Sequence, residues 1–407
     1  MVRIFTLVIV AILVCTTQWC TAQTWRDFHA KSIGMYQLGR FDSMQYFINK
    51  ALEIHPSQPT LLYNKSIAEA ASGQSEAAKK SLDFLMSWNA AIQPENDEDL
   101  KKYLSEDIVT GLKKTKGQWT EKVNSGFKHL ALGKVHTEDI SRGIHGTAVT
   151  EVHEGLLMYF IDGASYSTRL PGAGMAVEFY KDDLFFVTTA YIPEYVSYNA
   201  DKDVPAYLLL VDAKQGKIID QYPIGNAVIG AMCTNKDHLL FLSNSASPEV
   251  LIFDPAKKSW KDTIIIGDAF SLQGITCDAK TNTLYVADYI KGILSMDVGG
   301  RQQSWIKSPD YLLKGIDGLE FFDGDLIAIQ NNSSPKRVIR LTLSEKKITN
   351  TQLLENALPY SGEPTNGYID QSDKTFYYIA NSPWPHYKDG KPVDNDWENV
   401  EVRVVRF

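Results

Sequence analysis

Apolar and polar positions along this chain follow two rhythms. Between about residues 25 and 120, apolar residues return every three or four positions. The segment MYQLGRFDSMQYFINKALEIHPSQP does so and stops at Pro56, and LLYNKSIAEAASGQSEAAKKSLDFLMSW repeats the plan. That spacing predicts amphipathic helices. From about residue 125 the apolar residues come instead in short strand-like runs, separated by turns rich in Gly, Asn and Asp.

The strand-rich part has a period. Gly230, Gly274, Gly318 and Gly367 open four similar stretches, GAMCTNKDHLLFLSN, GITCDAKTNTLYVAD, GLEFFDGDLIAIQNN and GYIDQSDKTFYYIAN, at intervals of 44, 44 and 49 residues. Each reads strand, polar turn, strand. Gly174 opens GMAVEFYKDDLFFVTT and Gly146 opens a shorter unit, GTAVTEVHEGLLMYFID. A repeat of this length is the signature of a propeller blade of about four strands, so six glycines predict a mainly β, six-bladed β-propeller. The last unit lacks an outer strand, and Phe127 to Val135 is available to stand beside Val400 to Phe407. Such closure removes the exposed edge that invites aggregation. The polar stretches Ile192 to Pro205 and Pro383 to Asn399 read as insertions.

In a propeller the loops that enter the innermost strands meet at one face. The residues just before the glycines therefore form an expected ring: His145, Ala173, Ile229, Gln273, Asp317 and Asn366. Four of these are polar and two, Ala173 and Ile229, are apolar, so one side of the mouth is polar and the other greasy. Glu363 lies three residues before Asn366 and reaches the same face. A second ring is expected at the ends of the second strands: Asp162, Thr188, Asn244, Asp288, Asn332 and Asn381. Asn and Asp at such ends commonly cap turns, and that role is assigned to most of these six. Carboxylate and amide oxygens around an axis suit a hard cation such as calcium, with Asp317 and Glu363 supplying charge and Gln273 and Asn366 neutral oxygens. Polar groups lining a tunnel also simply hold water, and a lone histidine such as His145 is commonly structural.

In the helical part Gly39 and Gly73 lie 34 residues apart, with Ala51 and Ala77 at close helix contacts and Pro56 after the second helix. This stretch resembles tetratricopeptide repeats. One more helix is expected over Asp99 to Lys114. Two repeats are short for a free-standing array, so the unit is expected to lean on the propeller, as a peptide-binding groove or as a buttress.

Composition changes the picture little. Lys and Arg number 41 and Asp and Glu 49, for a net charge of −8, so the basic footprint of a nucleic-acid binder is missing. At the N-terminus Arg3, the apolar run Ile4 to Val14 and Cys20-Thr21-Ala22 read as a secretory signal cleaved before Gln23; a lipoprotein at Cys20 is the rival. No other run is long and apolar enough for a membrane span. The expected organisation is thus a signal over 1–22, a helical unit over 23–122 and the propeller over 125–407, in an exported protein, periplasmic or secreted. Cys233 and Cys277 remain after cleavage and read as buried free thiols on neighbouring inner strands. No GxSxG, P-loop or HExxH motif is present.

The stretches SLQGITCDAKTNTLYVADYIKGI, LKGIDGLEFFDGDLIAIQNNSSPKRVIRL and GEPTNGYIDQSDKTFYYIANS resemble the senescence-marker-protein/gluconolactonase-like superfamily of six-bladed propellers, whose relatives include paraoxonases and strictosidine-synthase-like proteins. The resemblance covers roughly residues 125 to 407. It implies a divalent cation, usually calcium, at the tunnel mouth, held by a Glu, two Asn and an Asp, and hydrolysis of lactones or esters. Asp317 in IDG matches the Asp. Gln273 in LQG and Ile229 stand where Asn residues are expected, and Glu363 is an unaligned stand-in for the Glu. Two expectations follow. One is a metal-dependent hydrolase of a lactone, ester or sugar-acid derivative, with Asp317 as central ligand or base. The other is a non-catalytic module presenting helical unit and propeller to a protein or glycan.

Overall fold

The computed structural model describes residues 24–197 and 205–407. The expected signal sequence and cleavage point, and part of the first insertion, lie outside the described residues.

Among the described residues six α-helices come first. Thr24 caps α1 (Trp25–Gln37) in a reciprocal capping box with Asp27. Gly39, at φ +67, turns the chain into α2 (Phe41–Ile54). The plan repeats with α3 (Pro59–Ala71), Gly73 at φ +78 and α4 (Ser75–Met86). These are the two expected hairpins, and Ala51 sits fully buried at the first close contact. The single further helix expected over Asp99 to Lys114 is two: α5 (Glu98–Tyr103) and α6 (Glu106–Thr120). Leu104 is extended, and the Ser105 side chain accepts the Ile108 N–H, so a new helix starts there instead of the old one continuing.

Six antiparallel sheets of four or five strands follow, one per blade, with a separate two-stranded hairpin among the described residues. Blade I runs Thr137–Arg142, Thr147–Glu151, Leu156–Ile161 and Ala164–Arg169. The inner strands of the other blades are Gly174–Lys181, Ile229–Thr234, Leu272–Asp278, Ile316–Phe322 and Gly367–Asp370, and each touches the next around a closed ring. Phe127–Gly133 pairs antiparallel with Val400–Arg406, Phe127 opposite Val404 and Gly133 opposite Val400, so the N-terminal strand completes blade VI. Neighbouring blades share apolar faces: Phe241, Val250 and Ile252 of blade III, for example, meet Ile275, Leu284 and Val286 of blade IV. Burial of such faces is the main drive for the ring to close.

The helical unit does lean on the propeller. Ser334 exchanges main-chain bonds with Trp88 and Ala90 (2.9 and 2.8 Å). The Ser87 hydroxyl accepts the Leu312 N–H, and the buried Arg337 donates to the Ser87 carbonyl at 2.8 Å. Asn356 donates to the carbonyls of Trp119 and Glu121, where the chain enters Val123–Asn124, a fifth strand on blade V. Several of these bonds satisfy buried groups, among them the side chains of Arg337 and Asn356.

One expectation about position needs correcting. Blade I does not open at Gly146. Its inner strand is Thr137–Arg142, and Gly146 belongs to the turn into the second strand. Counting glycines failed because Asp139 holds the place that glycine holds in blades IV, V and VI.

Candidate functional site

Strand register defines the tunnel mouth. The first inner-strand residue pairs with the end of the second strand: Thr137 with Glu151, Gly174 with Thr189, Ile229 with Asn244, Leu272 with Asp288 and Ile316 with Gln330. A bulge follows each time, and such bulges re-aim a side chain. The residues that open these bulges are Glu138, Met175, Gly230, Gln273 and Asp317. In blade VI Asn366 takes the same slot, between Thr365 and Gly367, both of which register with the second strand.

Of the expected ring, Gln273, Asp317 and Asn366 are therefore in place. The other three are not. His145 sits half-exposed in the turn at the far end of blade I's inner strand and bonds Asp183 at 3.2 Å. Ala173 lies before the strand and yields its slot to Met175, because blade II carries Ala176 where other blades carry glycine. Ile229 is one residue early, and Gly230 fills the slot. Sequence reasoning missed Glu138, which is 6% exposed. The alternating runs on both sides of the RGIHG turn were the available signal, since they mark a hairpin whose first strand starts at Thr137.

The polar half of the mouth is closely bonded. Asp317, 8% exposed, accepts from Asn331 at 2.6 Å, and Asn331 accepts from the Tyr289 hydroxyl at 2.9 Å. Asn366 reaches across to the opposite blade and donates to the Gly230 carbonyl at 3.0 Å. Gln273 donates to the Ser271 hydroxyl at 3.1 Å. Glu138 accepts the Trp384 indole N–H at 2.5 Å. Glu363 has Lys336 at 3.7 Å. Among the described residues neither Glu138 nor Asp317 has a cationic partner.

Electrostatics follow from this crowding. Burial, then the nearby Glu363, push the Asp317 carboxyl up to about 7, against the Asn331 bond. Burial and then Asp317 raise Glu138 well above the carboxylate range, opposed by Trp384. Burial also raises Glu363, with Lys336 opposing. A buried carboxyl prefers its neutral form, and a like neighbour adds to that preference. Deeper in the tunnel lies a second acidic layer. Asp139 accepts the N–H groups of Val177 and Ile140, and Glu178 accepts the Thr234 hydroxyl at 2.8 Å. Burial pushes Glu178 up to about 7, and burial plus Glu178 and Asp139 raise Glu320 well above its ordinary value.

Trp88 and Asn89 of the helical unit join Tyr289, Asn331, Asn332 and Glu363 around a space of about 330 Å³ over the mouth. The helical unit is thus part of the site's wall. The apolar half continues differently. Met175 packs with Val152, Ala173, Val196 and Trp384. Beyond them opens a chamber of about 460 Å³ walled by His136, Tyr195, Trp384 and Tyr387.

The second ring behaves mainly as turn caps. Asp288 accepts four backbone N–H groups, from Phe270, Ser271, Ile290 and Lys291. Asn244 accepts those of Val228 and Ala246, and Asn381 that of Glu401. In blade V the slot belongs to Gln330, two residues before Asn332, and Gln330 donates to the carbonyls of Leu312 and Lys314. In blade I it belongs to Glu151, well before Asp162. Cys233 and Cys277 are free thiols.

As a donor set for a hard cation the mouth fits by type: carboxyl and amide oxygens, with no sulfur or imidazole among them. Nowhere among the described residues do three Asp, Glu, His or Cys side chains gather as a ready metal cluster. A cation here would draw on Gln273, on Asn366 and on water as well.

These features define a six-bladed propeller with a helical unit over an acidic tunnel mouth. No family model matches the chain, and no curated protein does. Among solved structures, luciferin-regenerating enzyme is similar at 12% identity and a TM-score of 0.51, over 69% of this chain and 95% of that one. The structure of U3-55K is similar at 8% identity and a TM-score of 0.48, over 70% and 100%. At 12% identity the likeness to luciferin-regenerating enzyme shows the fold alone. No described helix is long and apolar enough to cross a membrane.

Proposed function

We propose that the tunnel mouth is a hydrolase site for a lactone, ester or sugar-acid derivative in an exported, periplasmic or secreted, protein. The observation that carries this reading is a set of carboxyls that repel one another, Glu138 and Asp317 buried and without a cationic partner, and Glu363 partly buried beside Lys336. A pure scaffold has no use for such mutually repelling acids, and strongly shifted carboxyls in a concave site mark function more often than structure. A divalent cation such as calcium, held by Asp317, Glu363 and Glu138 with oxygens of Gln273 and Asn366, would polarise the substrate carbonyl. Without an ion, burial and Glu363 let Asp317 hold a proton near neutrality; a bound cation would keep it ionised as a ligand. Asn331 and Tyr289 fix its orientation, and Trp88 and Asn89 narrow the access of water from above. The resemblance to gluconolactonase-like propellers asks for one Glu, two Asn and one Asp. In this reading Glu138, which opens a bulge at the mouth, would take the part of the Glu in place of Glu363, and Gly230 would leave one amide missing.

The test is direct. Purified protein is melted with calcium and with chelator and assayed on a panel of lactones and esters. Calcium-dependent turnover and a rise in Tm with calcium are expected, together with a mature start near Gln23 on N-terminal sequencing of exported material. The lack of a preformed three-acid cluster favours a second reading, a non-catalytic module for a protein or glycan. Saturable ligand binding with no turnover and a Tm indifferent to both additions would select it.

A further inference from the structure

The chamber beside the tunnel lies where two insertions meet, and it touches the mouth only through the bond from Trp384 to Glu138. The turn Ile192–Tyr195 comes from blade II, and the hairpin Tyr387–Lys388 with Lys391–Pro392 comes from blade VI. Gly390, at φ +71, lies so close to the Glu194 carbonyl that a Cβ would stand 1.6 Å from it. Only glycine lets the two insertions close on each other. Together they roof a space of about 460 Å³, within the range of small-molecule sites.

His136 lines this space. It is 2% exposed, and neither ring nitrogen has a hydrogen-bond partner among the described residues. Its main chain is held: the N–H donates to Glu151 at 3.3 Å and the carbonyl accepts from Val152 at 2.6 Å. Three aromatic rings surround the imidazole or its neighbour. Trp384 meets it edge-on at 4.3 Å and Tyr387 lies tilted at 4.1 Å, while Tyr195 is 5.6 Å from Trp384. The bond from Trp384 to Glu138 fixes the indole plane. A buried donor and acceptor with no protein partner calls for an occupant. Aromatic and aliphatic walls, Val152 and Ile192 among them, suit a ring better than a water cluster. At the rim Glu194 and Asp389 are exposed, so an anion meets repulsion on entry.

We propose that this chamber binds a neutral aromatic small molecule bearing a hydroxyl or N–H group, of the phenol class, with His136 as its hydrogen-bonding partner. Binding does not depend on a cation at the tunnel mouth. It is therefore measured with chelator present, which separates it from the hydrolase reading.

The probes are phenol, toluene and benzoate, titrated by calorimetry into the full chain. Phenol is expected to bind saturably, toluene at least about threefold more weakly, and benzoate not at all. His136→Phe keeps a ring in place and is expected to erase the preference for phenol over toluene. Nitrogen chemical shifts of His136 in the unmutated protein supply the readout if that variant does not fold, and phenol is expected to move them. Absence of saturable phenol binding, equal affinity for phenol and toluene, an unchanged preference in His136→Phe, or unmoved His136 shifts would each overturn the proposal.

Discussion

The two halves of the tunnel mouth are built from the same strand, the same bulge and the same register, yet they differ in chemistry. Blades IV, V, VI and I place Gln273, Asp317, Asn366 and Glu138 in the slot, whereas blades II and III place Met175 and Gly230. The first four meet polar partners: Ser271, Asn331, the Gly230 carbonyl and Trp384. The other two give no side-chain hydrogen bond, and Met175 merges with the apolar wall of the aromatic chamber. A repeat thus supplies positions and leaves each blade to choose its chemistry. A substrate whose reacting carbonyl faces the acids and whose apolar part faces Met175 matches this division.

The largest expected effect separates the halves by activity. Asp317→Ala is expected to lower kcat/KM by about 10²–10³-fold, the scale for losing one group aimed at a reacting oxygen, and to abolish any rise in Tm with calcium. Met175→Ala is expected to leave kcat within a few-fold but to cost about 2–5 kcal/mol of stability, as for other buried methionines. Kinetics and thermal melts of the two variants side by side check the division. Equal losses of activity would break it.

A second test adds a side chain to the bare slot. At Gly230 a Cβ would lie 2.8 Å from the Gln273 amide oxygen and 2.9 Å from its Cα. Gly230→Asn, which restores the amide the resemblance asks for, is expected to cost about 1–3 kcal/mol through overpacking. Denaturant titration reads that cost, and a stability equal to the parent would show that the ring has room to relax.

The deep acidic layer gives a pH dependence of stability. Glu178 is raised to about 7 by burial, so the folded state holds a proton that the unfolded chain has lost. Its stabilising share is complete below about pH 4.5 and disappears as pH rises through 7, an effect on the order of 3 kcal/mol. Tm is expected to fall between pH 5 and pH 8, and Glu178→Gln is expected to flatten that fall. Surface acids such as Asp370, lowered first by the Ser372 hydroxyl, act in the opposite sense and lose their contribution only at lower pH.

The smallest effect sharpens the border between mouth and chamber. Trp384→Phe keeps an aromatic ring but removes the donor to Glu138. A loss of about 1–2 kcal/mol is expected, with Glu138 shifted further upward. Calorimetry checks the first, and carboxyl NMR titration the second.

Much of this architecture was legible in the chain. Six blades, closure by Phe127–Gly133 against Val400–Arg406, and two helical hairpins turning at Gly39 and Gly73 all follow from periodicity, because each blade or hairpin is a local unit that must bury one face. Gln273, Asp317 and Asn366 were readable for the same reason, since in their blades a glycine follows the slot. Blades I, II and III broke the count. Asp139, Ala176 and Ala231 stand where the glycine was expected, so His145, Ala173 and Ile229 were placed in a ring that belongs to Glu138, Met175 and Gly230.

By itself, then, the sequence determined the number and kind of units, because hydrophobic period and turn residues act within a few positions of the chain. Only the tertiary structure decided which side chains share a space. Glu138 and Trp384 lie 246 residues apart and Asn366 and Gly230 136 apart. Their contacts exist only once the ring has closed. The mutual repulsion that shifts Glu138 and Asp317, and the roof that Trp88 lends to the mouth, arise from that closure, since burial and proximity are properties of the folded ring and not of any one segment.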